Sequence, residues 1–279
     1  MKKILLTGSN GFIGSNLLEE LSKKYKIYCV TRSKKKIINK QNVVYINSNN
    51  LKYNLKINKF YSIIHCATHY KKTHSKKDID QMINSNIYLG NLILENKNTK
   101  YCKKFINFTT VWENYNGLKN NPFNLYSAYK LAFSKILQFY IKKLNKVKFY
   151  NLYLSETFGK NDNRKKLFST LKENYNKQKT SIIVSKNFKI NVLNVADIIS
   201  AVNILLKKSI KPNNYSLLNT KDIDILNLIK LFNKQNKYKI LYKYNSSKLI
   251  KEKLLKYKKI PGWKPKNSSL KDMLNYIKN

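Results

Sequence analysis

A chain of 279 residues with 56 Lys and Arg against 14 Asp and Glu, formal charge +42, is long enough to bury one large core with a smaller lobe attached. It contains no run of about 18 apolar residues, and Met1-Lys2-Lys3 leads into a strand-like segment instead of a signal-peptide profile, which speaks against a membrane span and predicts a cytoplasmic protein. Three cysteines (Cys29, Cys66, Cys102) without paired spacing fit a reducing compartment and exclude a disulfide frame or a cysteine metal site. The charge invites a nucleic-acid reading, but lysines are spread over the whole chain and Arg32 and Arg164 are its only arginines. Base- and phosphate-reading surfaces favour arginine, so no specific nucleic-acid partner is expected.

Residues 2–7 read as a short buried strand that runs into Thr7-Gly8-Ser9-Asn10-Gly11-Phe12-Ile13-Gly14 and then an amphipathic helix to about residue 23. Three of only seven glycines fall in that turn. Strand, glycine turn and helix form the setting of a dinucleotide fingerprint, where small residues admit a pyrophosphate and the helix N-terminus offers N–H groups to it. Gly8, Asn10, Gly11, Phe12, Ile13 and Gly14 are therefore candidate cofactor-binding residues. A second strand, 26–31, ends at Arg32-Ser33-Lys34, where an NAD site would carry an acidic residue for the ribose hydroxyl. A guanidinium there suits a 2′-phosphate and favours NADP(H) over NAD(H).

Residues 43–46 give a third strand. Residues 61–67 give a fourth, with Ala67 at its carboxyl end, where parallel sheets place ligands. His65 and His69 lack nearby carboxylate or thiolate spacing and read as structural, so no metal is expected. A helix is expected over 76–96 and a fifth strand over 105–109. After that strand, the hydroxyl of Thr109 or Thr110 is placed to meet a substrate carbonyl.

Asn121-Pro122-Phe123-Asn124-Leu125-Tyr126 opens an apolar helical run to Leu144. Tyr126 and Lys130, four apart, share a helix face. An ammonium beside a phenol favours the phenolate, and a drop of roughly three units is worth about 4 kcal/mol, which would make Tyr126 an acid/base group. A sixth strand, 148–154, completes a β-α alternation that predicts a doubly wound parallel sheet, a Rossmann architecture. Beyond residue 160 the pattern breaks into a helix near 165–174, strands near 181–184 and 189–192, a helix over 195–207, and a final helix to Lys278. The expected division is 1–160 for cofactor binding and 161–279 mainly for substrate, with an approximate boundary and a chain that crosses between the lobes.

These residues resemble the extended short-chain dehydrogenase/reductase family, in its nucleotide-sugar epimerase/dehydratase group. The matching pieces are Thr7-Gly8-x-x-Gly11-Phe12-Ile13-Gly14, Asn86, Thr110, Tyr126-x-x-x-Lys130 and Val195-Ala196-Asp197. Phe105-Ile106-Asn107 with Thr110 and Trp112, then Asn121-Pro122-x-Asn124-Leu125-Tyr126 and Gly159-x-x-Asp162-x-Arg164, look like the branch of CDP-abequose and CDP-paratose synthase-type 4-ketoreductases. The resemblance implies that Tyr126 is the acid/base, that Lys130 binds nicotinamide ribose and tunes it, and that Thr110 orients the sugar C4 oxygen. It also implies substrate contacts at Asn86, Glu156 and Arg164, the last with a pyrophosphate; a solvated cluster with Lys165 and Lys166 is the alternative for Arg164. Family members often form homodimers through a four-helix bundle, and the helices at 76–96 and 126–144 permit that or burial within one subunit.

A 4,6-dehydratase of this family carries Asp-Glu directly after the active-site Thr, where this chain has Val111-Trp112, with Glu113 displaced. The missing acidic residue after the second strand weakens the case for an epimerase that retains NAD. The expected reaction is NADPH-dependent reduction of an NDP-4-keto-deoxysugar, for surface-polysaccharide deoxysugar synthesis. A 4-epimerase and a catalytically degenerate NADP(H)-binding sensor are the alternatives.

Overall fold

The computed structural model describes residues 1–32, 41–251 and 253–279. In chain order the strands of its first half are β1 (Lys3–Thr7), β2 (Lys26–Thr31), β3 (Val43–Asn47), β4 (Ser62–His65), β5 (Lys104–Thr110) and β6 (Lys148–Leu154). Between them lie α1 (Phe12–Leu21), α2 (Leu51–Ile57), α3 (Lys76–Ile83), α4 (Leu89–Leu94) and α5 (Leu125–Lys143). The second half adds β7 (Glu156–Phe158), α6 (Leu167–Asn176), β8 (Ser181–Ile183), β9 (Asn187–Ile190), β10 (Val192–Asn194), α7 (Val195–Lys207) and β11 (Asn213–Leu217). It closes with β12 (Ile223–Asp224), α8 (Ile225–Gln235), β13 (Tyr242–Tyr244), β14 (Leu249–Lys251) and α9 (Leu270–Lys278).

Seven strands form the main sheet in the order β11-β6-β5-β4-β1-β2-β3, and every neighbouring pair is parallel. Because side chains alternate across a strand, Ile4 and Leu6 pack with α1 and α7 on one face, while Leu5 packs with α2, α4 and α5 on the other. The same alternation sends Ile106 to the first face and Phe105 to the second. This is the doubly wound Rossmann sheet expected from the β-α alternation. The strand order reverses between β1 and β4, which opens a crevice at their carboxyl ends.

A third cluster, built on Phe158, Phe168, Ile190, Ile229, Phe232 and Met273, forms the core of a smaller lobe. The chain does not stay there after residue 161. α7 and β11 return to the main sheet, where β11 pairs with β6 from Asn213↔Tyr150 to Leu217↔Leu154. The return is fastened at Asp197, a buried carboxylate that accepts from the backbone N–H of Lys266 (2.8 Å) and Asn267 and from Ser268 Oγ (2.5 Å).

The helix expected over 76–96 is interrupted: Asn84–Tyr88 forms a wider π turn between α3 and α4. α4 and α5 bury Ile93, Leu94, Phe133 and Leu137 within the subunit, while Ile83, Tyr88 and Phe139 remain exposed. No helix among the described residues is long and apolar enough to cross a membrane.

Candidate active site

The glycine turn after β1 is tight for a steric reason. Gly8 has φ +71°, and a Cβ there would stand 2.7 Å from Ala67 N. A Cβ on Gly14 would meet Gly8 O at 2.1 Å, so only glycine lets α1 pack on the turn. Gly11 caps α1 with no side-chain hydrogen bond to the helix N–H groups, and Asn10 Nδ2 reaches Thr31 Oγ1 at 3.5 Å. Thr7 Oγ1 accepts from Ala67 N (3.1 Å) and lies 2.9 Å from His65 Nδ1, locking β1 to β4. A Cβ on Gly8 or Gly14 would strike the protein's own backbone, so these glycines set the close packing of the turn, and the uncapped N–H groups at the start of α1 are what would meet a bound pyrophosphate. Arg32 is exposed directly after β2; the neighbouring Ser33 and Lys34 lie outside the described residues.

α5 starts where it does because Asn124 and Ser127 cap each other reciprocally: Ser127 N donates to Asn124 Oδ1 and Asn124 N to Ser127 Oγ, both at 2.9 Å. That fixes Tyr126 in the first turn and Lys130 one turn on. Both face a cleft of about 660 Å³ at the carboxyl ends of β4, β5 and β6. Thr110, Ile13, Glu156 and Arg164 line the same cleft. A more open hollow of about 890 Å³ on the other side of Arg164 contains none of Thr110, Tyr126 and Lys130.

The electrostatics correct one expectation. Burial pushes the Tyr126 phenol up to about 12; a Thr68 hydrogen bond and the Arg164 charge oppose this, and Glu113 and Tyr70 add to it. Lys130 does not produce the anticipated lowering, because its Nζ is turned to the Phe108 carbonyl at 2.7 Å. Burial in turn pulls Lys130 down to about 8. The phenol of the ligand-free protein is therefore protonated at neutral pH.

Two further expectations, those for Asn86 and Arg164, change in detail. Asn86, fully buried in the π turn, accepts from Thr68 Oγ1 (2.8 Å) and His69 N (3.1 Å) and donates to His69 O (3.1 Å). Its amide is committed to the loop after β4, so it shapes the cleft instead of facing it. Arg164 is neither a free pyrophosphate fork nor a solvated lysine-cluster member. Its Nε and Nη2 bind the Asp162 carboxylate at 2.7 and 2.8 Å, Nη2 also donates to Thr157 O, and its Cζ stands 4.0 Å over the Phe12 ring. Thr110 Oγ1 accepts from Trp112 N at 3.2 Å, which leaves its hydroxyl proton available to a ligand oxygen.

His65 is fully buried, 5.3 Å from the Phe133 ring and held down to about 3 by burial and the Lys130 charge, so it is neutral. His69 Nε2 pairs with Asp78 Oδ1 at 3.3 Å. Both have structural roles, and among the described residues no group of three His, Cys, Asp or Glu could hold a metal.

No sequence pattern signals the mouth of aromatic rings and cations that the fold assembles. Tyr70 meets Tyr126 edge-on at 5.2 Å, and Lys166 Nζ lies 4.7 Å over Tyr70 and 5.0 Å over Trp112. Lys71 and Lys72 complete that rim.

Comparison with known proteins agrees with this geometry. A sequence model described as "NAD dependent epimerase/dehydratase family" matches residues 4–217. A CDP-abequose synthase of Yersinia pseudotuberculosis is 28% identical over 72% of this chain and 71% of its own length. Another, from Salmonella muenchen, is 25% identical over 77% and 74%. The solved structure of a UDP-glucuronic acid 4-epimerase from Bacillus cereus, in complex with UDP-glucuronic acid and NAD, superposes with a TM-score of 0.80. It covers 99% of both chains at 19% identity, a likeness of fold.

Proposed function

The chain belongs to the NAD dependent epimerase/dehydratase family, and from that membership we propose that it reduces the C4 ketone of an NDP-4-keto-deoxysugar with NADPH. The observation that supports this reading is the convergence of Tyr126, Thr110 and Lys130 on one cleft, with Val111-Trp112 after Thr110 and Arg32 after β2 where dehydratases and NAD-retaining epimerases carry acidic residues. Reduction needs a donor to a developing alkoxide, and the Tyr126 phenol is the group in the cleft suited to be that donor.

NADPH, when bound, supplies the hydride. The tight Gly8-to-Gly14 turn would bring the N-terminus of α1 to its pyrophosphate, and Arg32 would be the group for a 2′-phosphate. Lys130 would be the cation that holds the nicotinamide ribose. Thr110 donates to the C4 oxygen opposite Tyr126, which delivers the proton. Glu156 and the cationic rim of Lys165 and Lys166 would face the nucleotide sugar, with Arg164 lining the cleft while paired to Asp162. The two CDP-abequose synthases among the relatives favour a CDP-linked substrate.

NADPH oxidation is to be followed with a panel of 4-keto nucleotide sugars, using wild type and Tyr126→Phe. Turnover with NADPH is expected, and Tyr126→Phe should lose at least about 100-fold in kcat while NADPH affinity stays within about twofold. Turnover with NADH alone, or interconversion of UDP-sugars without net coenzyme oxidation, would discard the reductase reading. Coenzyme binding without turnover of any such sugar would favour the sensor.

A further inference from the structure

Behind the cleft floor sits a carboxyl group that the reductase chemistry does not use. Glu113 is completely buried in the turn after β5. Its Oε1 accepts from Thr109 Oγ1 and from Ser134 Oγ (3.0 Å), and its Oε2 from Tyr153 OH (3.2 Å). Asn151 extends the network, donating to Ser134 Oγ at 3.2 Å and accepting from Asn107 Nδ2 at 2.6 Å.

The placement is specific. Lys130 and Ser134 are one helical turn apart on the same face of α5. Phe108 and Thr109 are consecutive on β5. Lys130 binds the first of these and Glu113 bridges the second to Ser134, so two buried polar links dock α5 on β5 side by side.

We propose that Glu113 is a positioning residue for the reaction: its carboxyl group, held by three hydroxyl donors, among them Ser134 one helical turn along α5 from Lys130, is the counter-charge that favours the Lys130 ammonium. It rests on the assignment of Tyr126 and Lys130 as the reacting pair. Burial drives both cleft groups towards their neutral forms, which suits the phenol and not the ammonium. A buried negative charge nearby opposes the loss of the Lys130 proton and reinforces retention of the Tyr126 proton.

The other titratable groups facing the trio are identified. Cys66 and His65, at the end of β4, feel Lys130, and burial holds both uncharged at neutral pH. Arg164 and Tyr70 face Tyr126. Tyr153, its ring 4.3 Å from that of Tyr257 and tilted to it, faces Glu113 and is driven up by burial first, then by Glu113. Burial raises Glu113 itself, against the hydrogen bonds of Thr109, Ser134 and Tyr153 and the Lys130 charge. Among these groups Glu113 is the one whose anionic form favours both Lys130 as a cation and Tyr126 as a neutral phenol.

The test is an NMR titration of Lys130 in the ligand-free protein, with 13C-labelled lysine and the Lys130 signal assigned by its loss in Lys130→Arg. A wild-type midpoint near pH 8 is expected. In Glu113→Gln it should fall by about half a unit to one unit, with the alkaline limb of kcat/KM moving down in parallel. Glu113→Asp, which keeps the charge, should recover most of the wild-type midpoint. An unmoved midpoint accompanied by a lower Tm would make Glu113 a structural residue and overturn the proposal. If Glu113→Gln does not fold, the wild-type signal decides: a second, smaller step at the Glu113 ionisation supports the coupling, and a single step overturns it. Because the titration needs neither coenzyme nor sugar, its outcome is separate from the failure or success of the reductase assignment.

Discussion

In the proposed reaction Lys130 would couple activity to pH and to stability with opposite signs. Its ammonium is held at about 8, well below the ordinary lysine value, because burial outweighs the attraction of Glu113. In the unfolded chain the same group would hold its proton to the ordinary lysine value near 10.4. Between those values the unfolded state binds more protons, so this group's contribution to folding stability grows as pH rises through that window. Under the proposed role of Lys130, activity should fall over the same window. The expected result is a kcat/KM that declines above pH 8 while Lys130→Met, which has no proton to lose, shows a smaller gain in stability between pH 8 and 10 than wild type. Activity profiles and urea denaturation across that range measure both. A wild-type activity rising through pH 9 would remove Lys130 from the role of required cation.

At the scale of elements, β5 is held to the far side of the sheet by a lysine whose role its sequence position does not betray. Lys104 Nζ donates to the backbone carbonyls of Leu205, Leu206 (2.8 Å) and Lys208 (2.9 Å), the open end of α7. Those carbonyls lack intrahelical partners and carry the negative end of the helix dipole. Lys104→Met keeps the buried stem and removes the donors, so it should lower stability by about 2–4 kcal/mol, read as a shift in the urea midpoint at constant slope. A change within about 0.5 kcal/mol would mean that water replaces the ammonium.

The bounds of β2, β6 and α7 were legible because each is a periodic apolar run, and α7 opens on a capping Asn194. β11 was not legible: Asn213-Asn214-Tyr215-Ser216-Leu217 is half polar, and its partner β6 lies some sixty residues earlier across an excursion into the other lobe. The site divides in the same way. Glycine scarcity and the Tyr126–Lys130 spacing point to the cleft, whereas the commitment of Asn86 to a loop and the burial of Glu113 depend on contacts between distant segments.

Across the whole molecule, 56 cationic side chains face 14 acidic ones. The smaller set is partly used inside, at Asp197 and Glu113, and partly in surface pairs such as Lys23–Glu20 and Lys177–Glu173. Exposed pairs of this kind are worth roughly 0–1 kcal/mol each, too little to offset repulsion among dozens of like charges. That repulsion reaches about 30 Å at 0.01 M salt and about 8 Å at 0.15 M, so added salt removes most of it between lysines that are not neighbours. Thermal unfolding should therefore move up by several degrees between about 0.01 and 0.3 M NaCl, against the usual expectation for a protein held by surface ion pairs. The cationic rim of Lys71, Lys72, Lys165 and Lys166 faces the opposite consequence, because the attraction that gathers an anionic nucleotide is screened over the same range. Stability and anion affinity should thus respond to salt in opposite directions, which melting curves and nucleotide titrations on one preparation would show. A Tm that fell with salt would place the stabilising charge in the ion pairs and show that attraction between unlike charges outweighs repulsion among the lysines.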